Sequence, residues 1–130
     1  MSEPFKTTLR VRWNEVDQQG VVFNGNYLTY ADVAGTEYYR HLGILGSGVE
    51  DLTQLFVVDA HLSFKAPALN DDLLTLTVFP GRVGSSSFQL VIAISRDDTD
   101  LCEITLTYVR ALGGRSAPLT PAFRNLITAD

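Results

Sequence analysis

A lone carboxylate, Asp17, stands seven residues before Asn24 in the run Asp17-Gln18-Gln19-Gly20-Val21-Val22-Phe23-Asn24-Gly25-Asn26-Tyr27, and Gly20 between them bends the path back. With an ordinary pKa of about 3.9 this carboxylate is ionised at neutral pH, so it can attack a carbonyl carbon or take a proton from water. The spacing places it before the first turn of a helix, where backbone N–H groups lack intrahelical partners and carry a partial positive charge of about half a unit. That pairing suits attack on an acyl carbonyl, whose oxygen gathers negative charge. Asp17 is the candidate nucleophile or base, and the backbone at Asn24, Gly25 and Asn26 the candidate oxyanion hole. Losing one such donor typically costs roughly 2.7 to 4 kcal/mol. Residue types and spacing leave the choice between nucleophile and base open.

Each of these residues also has a plainer reading. Asp17 can simply open a tight turn. Glu15 reads as solvated, because Gln18 and Gln19 argue against a strand continuing far enough to bring it beside Asp17. His41 suits the negative end of its helix. His61 and Asp59 share a polar strand face, and Cys102 alternates with Ile104 and Leu106 as a core residue. Tyr27, Tyr30, Tyr38 and Tyr39 are helix packing, with Tyr27 also lining a pocket for an acyl group.

The elements that must position these groups follow from periodicity. Phe5, Thr7, Leu9, Val11 and Trp13 alternate with polar residues as a half-buried strand, and Asn14 to Gly20 is turn chemistry. Tyr27, Leu28, Ala31, Ala34, Gly35, Tyr38 and Leu42 recur at three- and four-residue steps and predict a helix of about 17 residues, or ~25 Å. Asn24 or Asn26 is expected to cap it by accepting a backbone N–H, with His41 and Gly43 at its end. Ala31, Ala34 and Gly35 leave room for a sheet to approach closely.

Ile44 to Thr53 is the most loop-like segment. From Leu55 onward the period is two, with Phe56, Val58, Ala60, Leu62 and Phe64 expected on one face and Val57, Asp59, His61, Ser63 and Lys65 on the other. A strand then runs from Leu74 until Pro80-Gly81, another from Phe88 to Ser95, a polar hairpin spans Arg96 to Asp100, and the last strand covers Leu101 to Leu112. Gly113 to Pro121 is expected to be irregular, and Thr120 to Ile127 to form a short helix with Pro121 at its first position. Short polar connections between the last four strands make the sheet antiparallel. The expected fold is α+β: an antiparallel five-stranded sheet wrapped around one long central helix, as one domain over 1–130.

Composition narrows the function. A net charge of −5 without a basic run argues against nucleic-acid binding. Residues 1–15 lack the apolar stretch of a signal peptide and no run approaches the ~20 apolar residues of a membrane helix, so the expected location is the cytoplasm and no membrane partner is expected. One Cys, two His and no CxxC give no metal signature, and no cofactor is expected.

The run from Asp17 to Tyr27, the helix ending Tyr39-Arg40-His41-Leu42-Gly43, and the later Phe64-Lys65-Ala66-Pro67-Ala68 with Asp71-Asp72 resemble the hotdog-fold acyl-CoA thioesterases of the 4-hydroxybenzoyl-CoA thioesterase family. The resemblance covers nearly the whole chain. It implies that two subunits join edge to edge to form the site, in a homodimer or homotetramer. It also implies that Asp17 is the catalytic carboxylate, that the helix-start N–H near Asn24 polarises the thioester, and that an acyl-CoA or acyl-carrier thioester is the substrate. Asn26, Tyr27, Lys65, Arg82, Ser85 and Ser86 are the candidate substrate-binding residues. Two features depart from the pattern: Asn24-Gly25 stands where the family more often has His or Tyr, and Gly84-Ser85-Ser86-Ser87, with Arg82 the nearest charge, stands where relatives place basic residues for CoA phosphates. Those departures keep open a carrier-protein substrate and a hotdog protein that binds its ligand without turnover. A hotdog dehydratase or hydratase is disfavoured, since no His lies between Phe5 and Arg40.

Overall fold

The computed structural model describes residues 3–128. Strand β1 (Phe5–Arg10) leads through a 3₁₀ turn (Trp13–Glu15) and a hairpin to helix α1 (Asn26–His41). A second 3₁₀ turn (Asp51–Gln54) precedes β2 (Leu55–Phe64), β3 (Leu73–Val83), β4 (Ser87–Arg96) and β5 (Thr99–Leu112). The two-residue β6 (Arg115–Ser116) and helix α2 (Pro121–Ile127) follow. The sheet is antiparallel in the order β1-β3-β4-β5-β2, with β6 paired to β5. This is the hotdog arrangement of a curled sheet around a central helix.

Helix α1 buries the stripe its spacing predicts. Tyr30, Ala31, Ala34 and Tyr38 are wholly buried, each large apolar side chain contributing ~1.5–3 kcal/mol. The small residues do let the sheet in: a Cβ at Gly35 would lie 3.7 Å from the Tyr108 hydroxyl and 3.8 Å from a Leu90 methyl. Leu28 and Leu42 depart from the expected stripe. Leu28 is exposed at the stripe's edge, and Leu42 has left the helix as its half-buried C-cap.

Several boundaries move for physical reasons. β1 stops at Arg10, because the Arg12–Glu15 interaction turns the chain and leaves Trp13 exposed. β3 runs through Pro80-Gly81 to Val83 by way of an irregularity in its pairing with β4, where a Pro lacking its N–H can be tolerated. Beyond β5 the chain is not irregular throughout, since Gly113 and Gly114, both at positive φ, form a turn that returns β6. In β2 a bulge between Val57 and Asp59 switches the alternation. Val57 opposes the largely buried Tyr108 and Phe56 opposes Val109, so Leu55 and Val57, not Phe56 and Val58, share the inner face with Ala60, Leu62 and Phe64. β2 is an edge strand exposed along most of its length, with Phe56, Val57, Val58 and Phe64 all open.

The loop before β2 hides a charge. Asp51 is wholly buried, accepting from the Thr120 N–H at 2.9 Å and its hydroxyl at 2.7 Å, with the Arg110 Nε at 3.9 Å. Thr120 in turn caps α2 by accepting from the Phe123 N–H, and Pro121 opens that helix as expected. Asp51→Ala strands the Thr120 N–H and hydroxyl, while Arg110 keeps its bonds to Gln54 and the Pro118 carbonyl, so we expect a loss of about 1–3 kcal/mol in urea-unfolding stability.

Candidate functional site

The Asp17 turn is built entirely from local bonds. The Asp17 N–H donates to the Val21 carbonyl at 2.8 Å, and the Gly20 N–H returns to the Asp17 carbonyl at 3.0 Å with Gly20 at φ +79°. The Asp17 Oδ1 accepts from the Gln19 N–H at 2.8 Å and the Val21 N–H at 3.4 Å. Asp17 therefore does hold its turn, and its carboxylate stays exposed with Oδ2 outside these bonds. On the other side, Val22 donates to Ala68 and Asn70 donates to Gly20, which fastens the hairpin to the segment after β2.

The helix start opens without a side-chain cap. Gly25 is the N-cap, already helical at φ −64°, ψ −24°, and neither Asn24 nor Asn26 accepts a backbone N–H with its side chain. The Asn26 amide instead donates to the Glu15 carbonyl at 2.8 Å, and its N–H donates to the Phe23 carbonyl at 2.9 Å. That commits Asn26 to structure and removes its N–H from the expected oxyanion hole. The N–H groups of Asn24 and Gly25 meet no acceptor among the described residues, and both residues are exposed.

Beside that start lies a cavity of about 310 Å³ lined by Val21, Val22, Asn24, Tyr27, Phe64, Lys65, Ala66 and Pro67. It brings Asn24, Tyr27 and Lys65 together. Tyr27 supplies an apolar wall: its ring meets Phe64 edge-on at 5.2 Å, and its buried hydroxyl accepts from the Ala68 N–H at 3.1 Å. The wall is braced by Arg96, whose Nη1 donates to Asp72 at 2.7 Å and to the Pro67 carbonyl at 3.3 Å.

Arg82, Ser85 and Ser86 lie elsewhere. Their hairpin between β3 and β4 is tied to the C-terminal segment, the Ser85 carbonyl accepting from the Leu119 N–H and from Arg124 at 2.9 Å each, and the Ser86 carbonyl accepting from the Arg110 N–H. Ser87 pairs with Val109, which pairs with Phe56, so this hairpin sits at the Phe56 end of β2. The cavity sits at the Phe64 end. Eight residues of strand separate the ends by roughly 26 Å, and within one chain the two sets do not meet.

A second cavity of about 310 Å³ sits near the Phe56 end too, between Asp32, Gly35, Thr36, Tyr39, Leu45, Leu52, Leu55 and Tyr108. Burial raises the Asp32 carboxyl above its usual range, holds Tyr39 well above its own, and pushes Tyr108 up to about 12. The buried Tyr39 hydroxyl has no hydrogen-bond partner of good geometry, while Tyr108 and Asp32 are among the groups acting on it. Sequence reasoning passed over this polar floor because its members sit between packing residues on two distant elements. Cys102 agrees with its core reading: it is buried, and burial pushes its thiol up to about 11.

Glu15 differs from its expected solvated state. Its side chain is only 11% exposed and is ion-paired with Arg12. Burial works against its charge, yet hydrogen bonds from the Arg12 backbone and side chain and from Tyr30 hold it below the usual carboxylate range. A folded pKa below the unfolded one adds stability that is present above the unfolded value of about 4.3 and is lost as pH falls through the folded value. The melting-temperature gap between wild type and Glu15→Gln should therefore be widest near pH 6 and shrink toward pH 3.

Residues 19–103 match the family model of the thioesterase superfamily. YneP of Bacillus subtilis, which carries the name of an acyl-CoA thioesterase, is 40% identical over 63 residues, spanning 48% of this chain and 46% of that protein. An Aquifex aeolicus protein that carries the name of an esterase is 23% identical over 113 residues, 86% of this chain and 88% of its own. A crystal structure of a 4-hydroxybenzoyl-CoA thioesterase mutant complexed with 4-hydroxybenzoyl-CoA superposes with a TM-score of 0.83 at 17% identity, over 98% of this chain and all of that one. At that identity the likeness is one of fold.

Proposed function

The chain belongs to the thioesterase superfamily, and on that premise we propose that it hydrolyses an acyl-CoA or acyl-carrier thioester to free acid and thiol, acting as one domain in a cytoplasmic homodimer or homotetramer. The observation that carries the reading is the pair of unengaged N–H groups at Asn24 and Gly25, exposed beside a cavity whose Val21-Val22 wall is the return strand of the Asp17 turn. A thioester carbonyl oxygen lodged there gains negative charge as its carbon is attacked, and donors already oriented at a helix start stabilise that charge without reorganising. Asp17 either attacks the carbonyl carbon, expelling the thiolate and leaving a mixed anhydride that water then hydrolyses to free acid, or takes a proton from a water that attacks the carbon, after which the C–S bond breaks and the thiolate leaves with that proton as thiol.

The partner subunit completes the site in this reading. Antiparallel pairing of two β2 edges about Ala60 sets Phe64 opposite the partner's Phe56. The partner's Ser85, Ser86 and Arg82 and its second cavity then lie beside the first cavity. Tyr39 and Tyr108, both buried where they line that second cavity, favour an acyl group carrying its own hydrogen-bonding substituent, because a bare alkyl chain would leave buried polar groups without partners.

The test is release of free thiol from a panel of short, long and aromatic acyl-CoAs, 4-hydroxybenzoyl-CoA among them, and from acyl-carrier protein. Turnover of one class identifies the substrate. Tight binding without product would replace hydrolysis with the binding role.

A further inference from the structure

Between Asp17 and the helix start stands one residue that touches both sides. The backbone carbonyl of Glu15 accepts from the Phe23 N–H at 3.0 Å and from the Asn26 amide at 2.8 Å. Its Oε1 accepts from the Arg12 N–H at 2.9 Å and from the Tyr30 hydroxyl at 2.8 Å, and its Oε2 accepts from the Arg12 guanidinium. Tyr30 is wholly buried. Asn26 and Tyr30 are four apart, so they lie one above the other on the same helix face. Two tethers on that face, one turn apart, restrict both rotation of the helix about its axis and sliding along it.

We infer that Glu15 is the positioning residue of the site: its carbonyl and carboxylate together set where the Asn24 and Gly25 N–H groups stand relative to Asp17. The inference rests on the hydrolase reading. The chain from Glu15 to Asp17 is two residues long and is paired across to Val21–Phe23 by the Asp17–Val21 and Phe23–Glu15 bonds and by the Val16–Val22 bridge. A displacement of the helix start is therefore read directly as a change in the gap between carboxylate and oxyanion donors. The surface Arg12 neutralises the carboxylate, so Glu15 remains an acceptor for Tyr30 with no need to touch substrate.

Two variants separate positioning from simple stability. Tyr30→Phe removes the helix-side bond and leaves the Glu15–Arg12 pair intact, whereas Glu15→Gln keeps the size and gives the guanidinium an amide in place of a carboxylate. Geometry lost by ~1 Å can cost about 100-fold in rate. With the best thioester from the panel, well below each melting temperature, kcat per folded molecule should fall roughly 10- to 100-fold in both variants, with KM within about threefold. The double variant should be little worse than the poorer single one, because the two changes break one Arg12–Glu15–Tyr30 link, Tyr30→Phe at its helix end and Glu15→Gln at its Arg12 end. Wild-type kcat in folded Tyr30→Phe and Glu15→Gln, or losses that track only the folded fraction, would overturn the inference while leaving the hydrolase intact. Absence of turnover by wild type would remove the hydrolase reading and this inference with it.

Discussion

Asp17→Asn should lower kcat by roughly 10²- to 10⁴-fold, the range removed with a positioned acid or base, while KM for the same thioester moves only a few-fold. The variant is a clean one for a structural reason. Asp17 Oδ1 accepts from the Gln19 and Val21 N–H groups, and the amide oxygen of Asn can accept the same two bonds, so the turn persists and only the charge is lost. Asp17→Ala removes charge and turn together and should lose stability as well as rate. Unchanged melting in Asp17→Asn, with thiol release near background, would therefore place the loss in chemistry. A kcat within twofold of wild type would end the assignment, leaving Asp17 as the turn residue its bonds already describe. In a single turnover in ¹⁸O-labelled water, acid released free of label, with the label retained on Asp17, would establish a covalent anhydride opened at the aspartyl carbonyl, since general-base attack by water always labels the acid.

How far the molecule was legible in its residues depended on the range of the interaction concerned. Pro121 announced α2 because a proline suited to a first helical position is chemistry local to the helix start, and the Thr120 hydroxyl proves to cap it from just outside. The α1 stripe and the close approach over Ala31, Ala34 and Gly35 were legible for the same reason. The cap of α1 was not, since the Asn26 side chain is drawn to a carbonyl eleven residues back. In β2 the residues Leu55, Phe56, Val57 and Val58 are all apolar, so they carry no phase, and the bulge that decides which of them face the helix is set by pairing with β5. Asp51 looked like a loop residue because its partner Thr120 is sixty-nine positions away. Three residues that line the first cavity, Asn24, Tyr27 and Lys65, are ones the sequence had singled out, whereas Asp17 lies in the turn outside its lining. The buried hydroxyls of Tyr39 and Tyr108 beside the exposed Asp32, and the engagement of Glu15, required the fold.

Val58→Lys should leave the subunit folded and remove most of its activity at low protein concentration. Val58 is the extra residue of the β2 bulge and is 59% exposed in the single chain, so a lysine there costs the isolated subunit little. It sits on an unpaired strand edge flanked by exposed Phe56 and Val57, and an exposed apolar edge is a template for another strand. A lysine there would give up part of its hydration on joining the apolar seam, which opposes that pairing. If the partner supplies Ser85, Ser86, Arg82 and the second cavity, a monomer retains Asp17 and the Asn24 and Gly25 donors but has no closed acyl pocket. Sedimentation should then show a dimer weakened at least ~30-fold, equivalent to ~2 kcal/mol, and specific activity should rise with protein concentration along the same curve as dimer formation. A monomeric Val58→Lys protein with full activity would show that one chain holds the entire site, and the roles of Ser85, Ser86 and Arg82 would fall, because within one subunit roughly 26 Å of strand separates them from Asn24 and its cavity.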